Sequence, residues 1–89
     1  MAYDIAKIRA DFPLLGRKVY GRELAYLDNG ATAQKPLQVI EKIDYLHREL
    51  NANVHRGLHY LSEEGTSEYE AAREQGRALI GAASVREIV

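Results

Sequence analysis

Val39, Ile40, Ile43, Leu46 and Leu50 recur at the i, i+3/i+4, i+7 spacing of an amphipathic helix, and Pro36 stands where its fixed φ suits a first helical turn. This predicts a helix of about fourteen residues with one face that needs covering. A second helical pattern runs from about Ser62 or Thr66 to Ile80, with Tyr69, Ala72, Arg73, Gly76, Leu79 and Ile80 along one stripe. Gly65 and Gly76 each weaken it by about 1 kcal/mol relative to alanine, Gly76 offers a place for close packing, and Gly81 ends it. A chain of 89 residues that spends so much of its length on two helices has room for one small core at most.

The segments before and after are shorter. Asp4 is placed to cap a first helix running through Asp11, with Tyr3 and Ile8 as a hydrophobic staple, and Pro13 stops it. Lys18-Val19-Tyr20 reads as a strand, Gly21-Arg22-Glu23 as a turn, and Leu24-Ala25-Tyr26-Leu27-Asp28 as the more convincing second strand. That strand delivers Asp28-Asn29-Gly30-Ala31-Thr32 to its C-terminal end, where ligands sit in open α/β sheets. At the other end Val85-Arg86-Glu87-Ile88-Val89 reads as the first residues of a buried strand, so the chain is expected to be the N-terminal part of a longer protein.

Composition removes several function classes. Twelve Lys plus Arg against thirteen Asp plus Glu leave a net charge of −1, so no field is present to hold a nucleic acid or an anionic membrane surface. Cysteine is absent, which excludes disulfides, thiolate metal sites and a cysteine nucleophile from these residues. No apolar run approaches the roughly 18 residues of a membrane helix, and Met1-Ala2-Tyr3-Asp4-Ile5-Ala6-Lys7 lacks the pattern of a signal peptide, so the chain is read as cytoplasmic. Neither a G-x-G-x-x-G nor a G-x-x-x-x-G-K-[ST] phosphate loop occurs, and no G-x-S-x-G elbow. The four lysines, Lys7, Lys18, Lys35 and Lys42, lie in or beside polar positions with no sign of a desolvated pocket.

Chemistry concentrates between the two long helices. Asn51-Ala52-Asn53-Val54-His55-Arg56-Gly57-Leu58-His59 puts two imidazoles and a guanidinium around a glycine, in a stretch whose Asn and Gly residues favour leaving the helix. His55 and His59 are four apart, but Gly57 between them and the lack of a neighbouring Glu argue against a zinc helix, and no metal site is assigned. Arg56 suits recognition of a carboxylate or phosphate through its planar fork; the plainer alternative is a solvated surface charge. Asn51 and Asn53 are suited to closing the loop through side-chain hydrogen bonds. The small residues Asn29-Gly30-Ala31-Thr32 let backbone approach a ligand, or form an ordinary turn.

Taken in order, Asp11-Phe12-Pro13, Ala25 to Thr32, Gln34-Lys35-Pro36, Asn53 to His59 and Tyr69-Glu70-Ala71-Ala72-Arg73 resemble the start of SUF-type cysteine desulfurases. These belong to the class V aminotransferase family of pyridoxal-phosphate enzymes, which also holds selenocysteine lyases. The likeness runs over nearly all 89 residues. It implies an α/β protein in which residues 1–89 are the N-terminal part of a class V aminotransferase-like domain of fold type I: a short helix, a small hairpin, two amphipathic helices and the start of a sheet strand.

The resemblance also implies the chemistry: a homodimeric enzyme that holds pyridoxal 5'-phosphate on a lysine, takes sulfur from L-cysteine (or, in the lyase, selenium from L-selenocysteine), releases L-alanine, and in the desulfurase leaves a cysteine persulfide for a sulfur-acceptor protein in iron-sulfur cluster assembly. Both the cofactor lysine and the persulfide cysteine of the family fall later than any residue here, so the 89 residues alone are expected to be inactive. By the same resemblance Gly30 and Ala31 border the substrate pocket, Gly30 standing where alanine is common. His55 matches a histidine near substrate and cofactor and is the catalytic candidate, since imidazole moves protons near neutral pH. Arg56 matches an arginine at the active-site mouth near the dimer partner, where it would bind the substrate carboxylate or order the neighbouring subunit. Two departures stand out: Tyr20 where the hairpin often has asparagine, and Gly65 where alanine is usual. Two rival readings are another enzyme of the family, a selenocysteine lyase or an epimerase-like member, and a stand-alone helical module whose His/Arg loop binds a partner protein.

Overall fold

Asp4 sets the first element of the computed structural model, which describes residues 2–89. Its carboxylate accepts the Lys7 amide at 3.1 Å and caps α1 (Ile5–Ala10), as its position before Ile5 leads one to expect. The helix ends at Asp11, and Pro13 then opens a 3-10 turn, Pro13–Gly16, rather than merely stopping the chain. Tyr3 is 84% exposed, so its ring lies in solvent and the staple with Ile8 is not made.

The hairpin is tighter than its sequence suggests. β1 (Lys18–Val19) pairs antiparallel with β2 (Arg22–Glu23), Val19 opposite Arg22 and Lys18 opposite Glu23. Only Tyr20 and Gly21 remain for the turn, and both have positive φ, 52° and 73°, the signature of a two-residue type I′ loop. The second strand is therefore Arg22–Glu23, within the segment expected to turn, and Leu24 to Asp28 forms no strand. Two groups compete with the ladder there: the Arg9 guanidinium takes the Leu24 carbonyl at 2.7 Å, and Arg17 is already committed to closing the 3-10 turn through the Leu14 carbonyl.

α2 (Leu37–Glu49) is the helix predicted from the apolar spacing. The Pro36 carbonyl accepts the Val39 and Ile40 amides, and the Leu37 amide donates to the Asp11 carbonyl at 2.7 Å. Contacts group the chain into two units, Met1–Asp44 and Tyr45–Val89. In the second, α3 (Tyr60–Ile80) begins earlier than the apolar stripe indicates, because His59 caps it. Gly81, in the left-handed region at φ 69°, closes it as expected.

After α3 the chain does not enter a strand. Val85–Glu87 is a 3-10 turn whose Ser84 hydroxyl accepts the Arg86 amide at 3.2 Å, while the Glu87 carboxylate accepts the Ser84 amide at 3.2 Å. This reciprocal capping box satisfies locally the amides that a strand would have lent to a neighbour. The expected start of a sheet strand is thereby corrected.

Among the described residues only Leu50, 7% exposed, and Ser62, 1% exposed, are buried. Leu37, Ile43 and Tyr69 stay exposed and Leu79 is 86% exposed, so the apolar stripes of both long helices are largely uncovered within these residues. Among the same residues no helix is long and apolar enough to cross a membrane.

A Cβ added at Gly65 would meet nothing closer than the Leu50 carbonyl at 3.8 Å, and one at Gly76 nothing closer than the Ile88 side chain at 3.9 Å. Both are ordinary contacts, so neither glycine is demanded by close packing here. Gly65→Ala should therefore stabilise α3 by about 1 kcal/mol through helix propensity alone. A denaturant midpoint that rises relative to the parent supports this, and one that falls contradicts it.

Candidate functional site

The loop between α2 and α3 is held by a serine that sequence reasoning passed over. The Ser62 hydroxyl, in the first turn of α3, donates to the Asn53 carbonyl and accepts the Gly57 amide at 3.0 Å. The Ser62 amide in turn donates to Nδ1 of His59 at 3.3 Å, so an imidazole does the work usually given to Ser, Thr, Asp or Asn at a helix start. Loop closure thus uses the Asn53 backbone; among the described residues the Asn51 and Asn53 side chains, expected to close it, make no hydrogen bond. Gly57 is required by crowding: a Cβ there would lie 2.5 Å from the Ser62 Cβ and 3.0 Å from Nε2 of His59.

With Asn53 and Gly57 both tied to Ser62, the three residues between them form a turn in which Val54 is half-buried and His55 and Arg56 are exposed. His55 takes φ 67°, a region histidine visits more often than most residues but at a cost of order 1–3 kcal/mol. Its amide recovers a partner in Thr66 Oγ1 at 2.8 Å. Its ring, half exposed, has Nε2 2.7 Å from Glu70 Oε1 and stands edge-on to Tyr69, centroids 5.4 Å apart and planes at 89°. His55, Gly57, Glu63, Thr66, Ser67 and Glu70 line an open depression of about 480 Å³.

Glu70 is also bound from the other side, Arg73 Nη1 donating to Oε2 at 2.9 Å. The hydrogen bond from His55, helped by Arg73 and opposed by desolvation, holds the Glu70 carboxyl below its ordinary 4.5. Arg73 continues to the segment after α3, donating to the Val85 carbonyl at 2.9 Å and the Ile88 carbonyl at 2.7 Å. One turn on, Arg77 repeats the device, pairing with Glu74 at 2.7 Å and with the Ala82 carbonyl at 3.0 Å. The Arg77 hydrogen bond lowers Glu74 below 4.5.

The residues singled out from sequence are distributed as follows. His55 is the centre of the cluster just described. Arg56 beside it is exposed and, among the described residues, has no hydrogen-bond or ion-pair partner, so its five N–H donors face solvent. His55 and His59 do not converge, since one ring turns to Glu70 and the other to the α3 start. Gly30 and Ala31 lie in the first unit, in a turn where the Ala31 and Thr32 amides both donate to the Asp28 carbonyl at 3.1 Å and Tyr26 Oη donates to the Thr32 carbonyl at 2.7 Å. A Cβ at Gly30 meets nothing within 4 Å, so alanine would fit this turn equally well. Ser62, Thr66, Glu70 and the capping role of His59 were not foreseen. The pair Glu70 and Arg73, at i and i+3, was visible as a spacing.

A strand-poor, helix-rich segment with an exposed His-Arg loop is matched by the aminotransferase class-V family model over residues 25–89, and the chain belongs to that family. Among its relatives, the cysteine desulfurase of Pectobacterium carotovorum subsp. carotovorum is 56% identical over 89 residues, covering 100% of this chain and 22% of that protein. The cysteine desulfurase of Synechococcus elongatus is 45% identical over 89 residues, 100% of this chain and 14% of that protein. The probable cysteine desulfurase 1 of Mycobacterium leprae is 46% identical over 87 residues, 98% of this chain and 14% of that protein. The chain thus spans less than a quarter of the length of these relatives.

Pyridoxal phosphate, the cofactor this family implies, needs a lysine shielded enough to form an imine and donors for a phosphate dianion. All four lysines here are exposed, and the depression at His55 is lined by the carboxylates of Glu63 and Glu70. These residues do not anchor the cofactor.

Two outcomes follow from this geometry. Gly57→Ala should push the loop off Ser62 and destabilise the fold by about 1–3 kcal/mol, read as a lowered denaturant midpoint; an unchanged midpoint would show that the crowding is relieved at no cost. Because Glu74 is lowered in the folded state, its stabilising share is complete above about pH 4.5 and is lost as pH falls through its lower folded value. Helicity measured by circular dichroism should therefore decline on acidification below about pH 4.5, and less steeply in Glu74→Gln. Equal acid slopes in parent and variant would count against the pair.

Proposed function

We propose that these residues form the N-terminal part of a pyridoxal-phosphate-dependent cysteine desulfurase of fold type I, cytoplasmic and homodimeric, that supplies sulfur to an acceptor protein in iron-sulfur cluster assembly. The observation that carries the reading is likeness to cysteine desulfurases across the whole chain, 56% in one relative and 45% in another, with His55 and Arg56 on an exposed, internally braced loop. The uncovered stripes of α2 and α3 fit a segment that packs against a larger body.

The reaction is balanced without an external oxidant. The C–S bond of L-cysteine breaks, its sulfur joins an enzyme cysteine thiol as a persulfide, and the carbon skeleton leaves as L-alanine. Pyridoxal phosphate, held by residues outside these 89, would supply an electron sink for the C–S cleavage. Arg56 binds the substrate carboxylate through its fork, Gly30 and Ala31 keep the pocket border small, and His55 carries a proton to or from the substrate. The cofactor lysine and the acceptor cysteine are contributed by residues outside these 89.

The test is L-alanine formation by the full-length protein with cofactor and L-cysteine, one alanine per persulfide. Arg56→Ala should raise KM roughly 10- to 100-fold, the loss of about 1.5–3 kcal/mol carried by a hydrogen bond to a charged group. The 89-residue polypeptide should form no alanine. Activity with L-selenocysteine alone points to the lyase, and absence of alanine from either amino acid sinks the proposal.

A further inference from the structure

The part of the site that the family likeness leaves unaccounted for is the brace behind His55. Three contacts fix the ring. Its backbone amide is tied to Thr66 Oγ1, its ring stands perpendicular to that of Tyr69, and Nε2 lies 2.7 Å from Glu70 Oε1. Glu70 is not free to swing, because Arg73 holds its second oxygen at 2.9 Å and Arg73 is itself held by the Val85 and Ile88 carbonyls.

We propose that Glu70 is the positioning residue of His55, binding the Nε2 side of the imidazole so that the ring meets substrate through Nδ1. The chemistry behind this is the acceptor-only nature of an ionised carboxylate: at 2.7 Å from Oε1, Nε2 carries a hydrogen, and the lone pair of the neutral ring is then on Nδ1. The lowered titration of Glu70 keeps it ionised throughout the neutral range. Among the described residues Nδ1 of His55 has no hydrogen-bond partner. A 180° flip of the ring would replace Nε2 by a carbon facing Glu70, so the carboxylate selects one of two otherwise similar orientations. His59 is set the other way round, with Nδ1 consumed by the Ser62 amide, and cannot substitute. Glu70 touches no substrate in this scheme and acts only through His55.

This rests on the cysteine desulfurase reading for the reaction, but not for the geometry, and the experiment separates them. In the full-length protein with histidine ring nitrogens labelled, the His55 signals are assigned by comparison with His55→Asn. The parent and Glu70→Gln, which keeps an acceptor oxygen, should show a hydrogen-bonded Nε2–H; Glu70→Ala should lose it. In the kinetic arm, Glu70→Ala should lower kcat for alanine formation about 10-fold or more with KM changed less than about 2-fold, an effect of the size seen when partners that orient a functional imidazole are removed. Glu70→Gln should restore most of it. In a His55→Ala background, Glu70→Ala should cost nothing further, since residues acting as one unit are not additive. An Nε2–H signal that survives Glu70→Ala, or an equal kcat loss with and without His55, overturns the proposal. If the protein makes no alanine, the nuclear magnetic resonance arm still decides the positioning claim while the desulfurase reading fails.

Discussion

One hydroxyl organises the functional loop. Ser62 is the most deeply buried side chain among the described residues, and it bridges the Asn53 carbonyl and the Gly57 amide, four residues apart in sequence. Fixing two points so close together leaves Val54, His55 and Arg56 no compact path. They turn sharply: Val54 stays half-buried, His55 adopts a left-handed backbone, and Arg56 is left in solvent. Only glycine fits at position 57, because any Cβ would overlap the serine that holds it. The exposure that makes the His-Arg pair usable is thus a consequence of how tightly its two flanks are tied.

α3 provides the frame to which the loop and the following segment both attach. Arg73 and Arg77, one turn apart, each pair with a glutamate three residues earlier and each capture carbonyls beyond the helix end. The two differ in what their glutamates reach. Glu74 stops at Arg77, whereas Glu70 continues to His55 and so joins the carbonyls of Val85 and Ile88 to the imidazole through a single chain of charged groups. A charged pair on an exposed helix face adds little stability. Here its more consequential effect is orientation.

Local periodicity and capping carried most of what was legible beforehand. The spacing of Val39 to Leu50 and the glycine at 81 located α2 and the end of α3, and Asp4 located α1, because helix signals are local and redundant. The hairpin register slipped because Tyr20 is an unusual residue for a positive φ, which hid the two-residue turn and shifted the second strand onto Arg22–Glu23. Val85 to Val89 has strand-like composition, yet Ser84 and Glu87 form a capping box at the same place, and the local hydrogen bonds prevailed. His55 and Arg56 stood out as residue types. What braces His55 did not, since Glu70 is fifteen positions away and its meeting with the ring depends on a backbone kink that no spacing rule encodes.

Two kinds of interaction divide the work at this site. The Ser62 bonds are partly or wholly shielded from water, and leaving such a donor or acceptor unmet costs about 1–3 kcal/mol, so they dominate where the loop runs. The His55, Glu70 and Arg73 contacts sit at the surface, where water and salt weaken them, so they govern which way the ring faces rather than whether the loop forms. A loop fixed by buried neutral bonds and a ring aimed by exposed charged ones can be adjusted independently. Changes in charge around Glu70 should then tune the imidazole while leaving Arg56 and the loop path in place, because no hydrogen bond of the Ser62 set passes through Glu70.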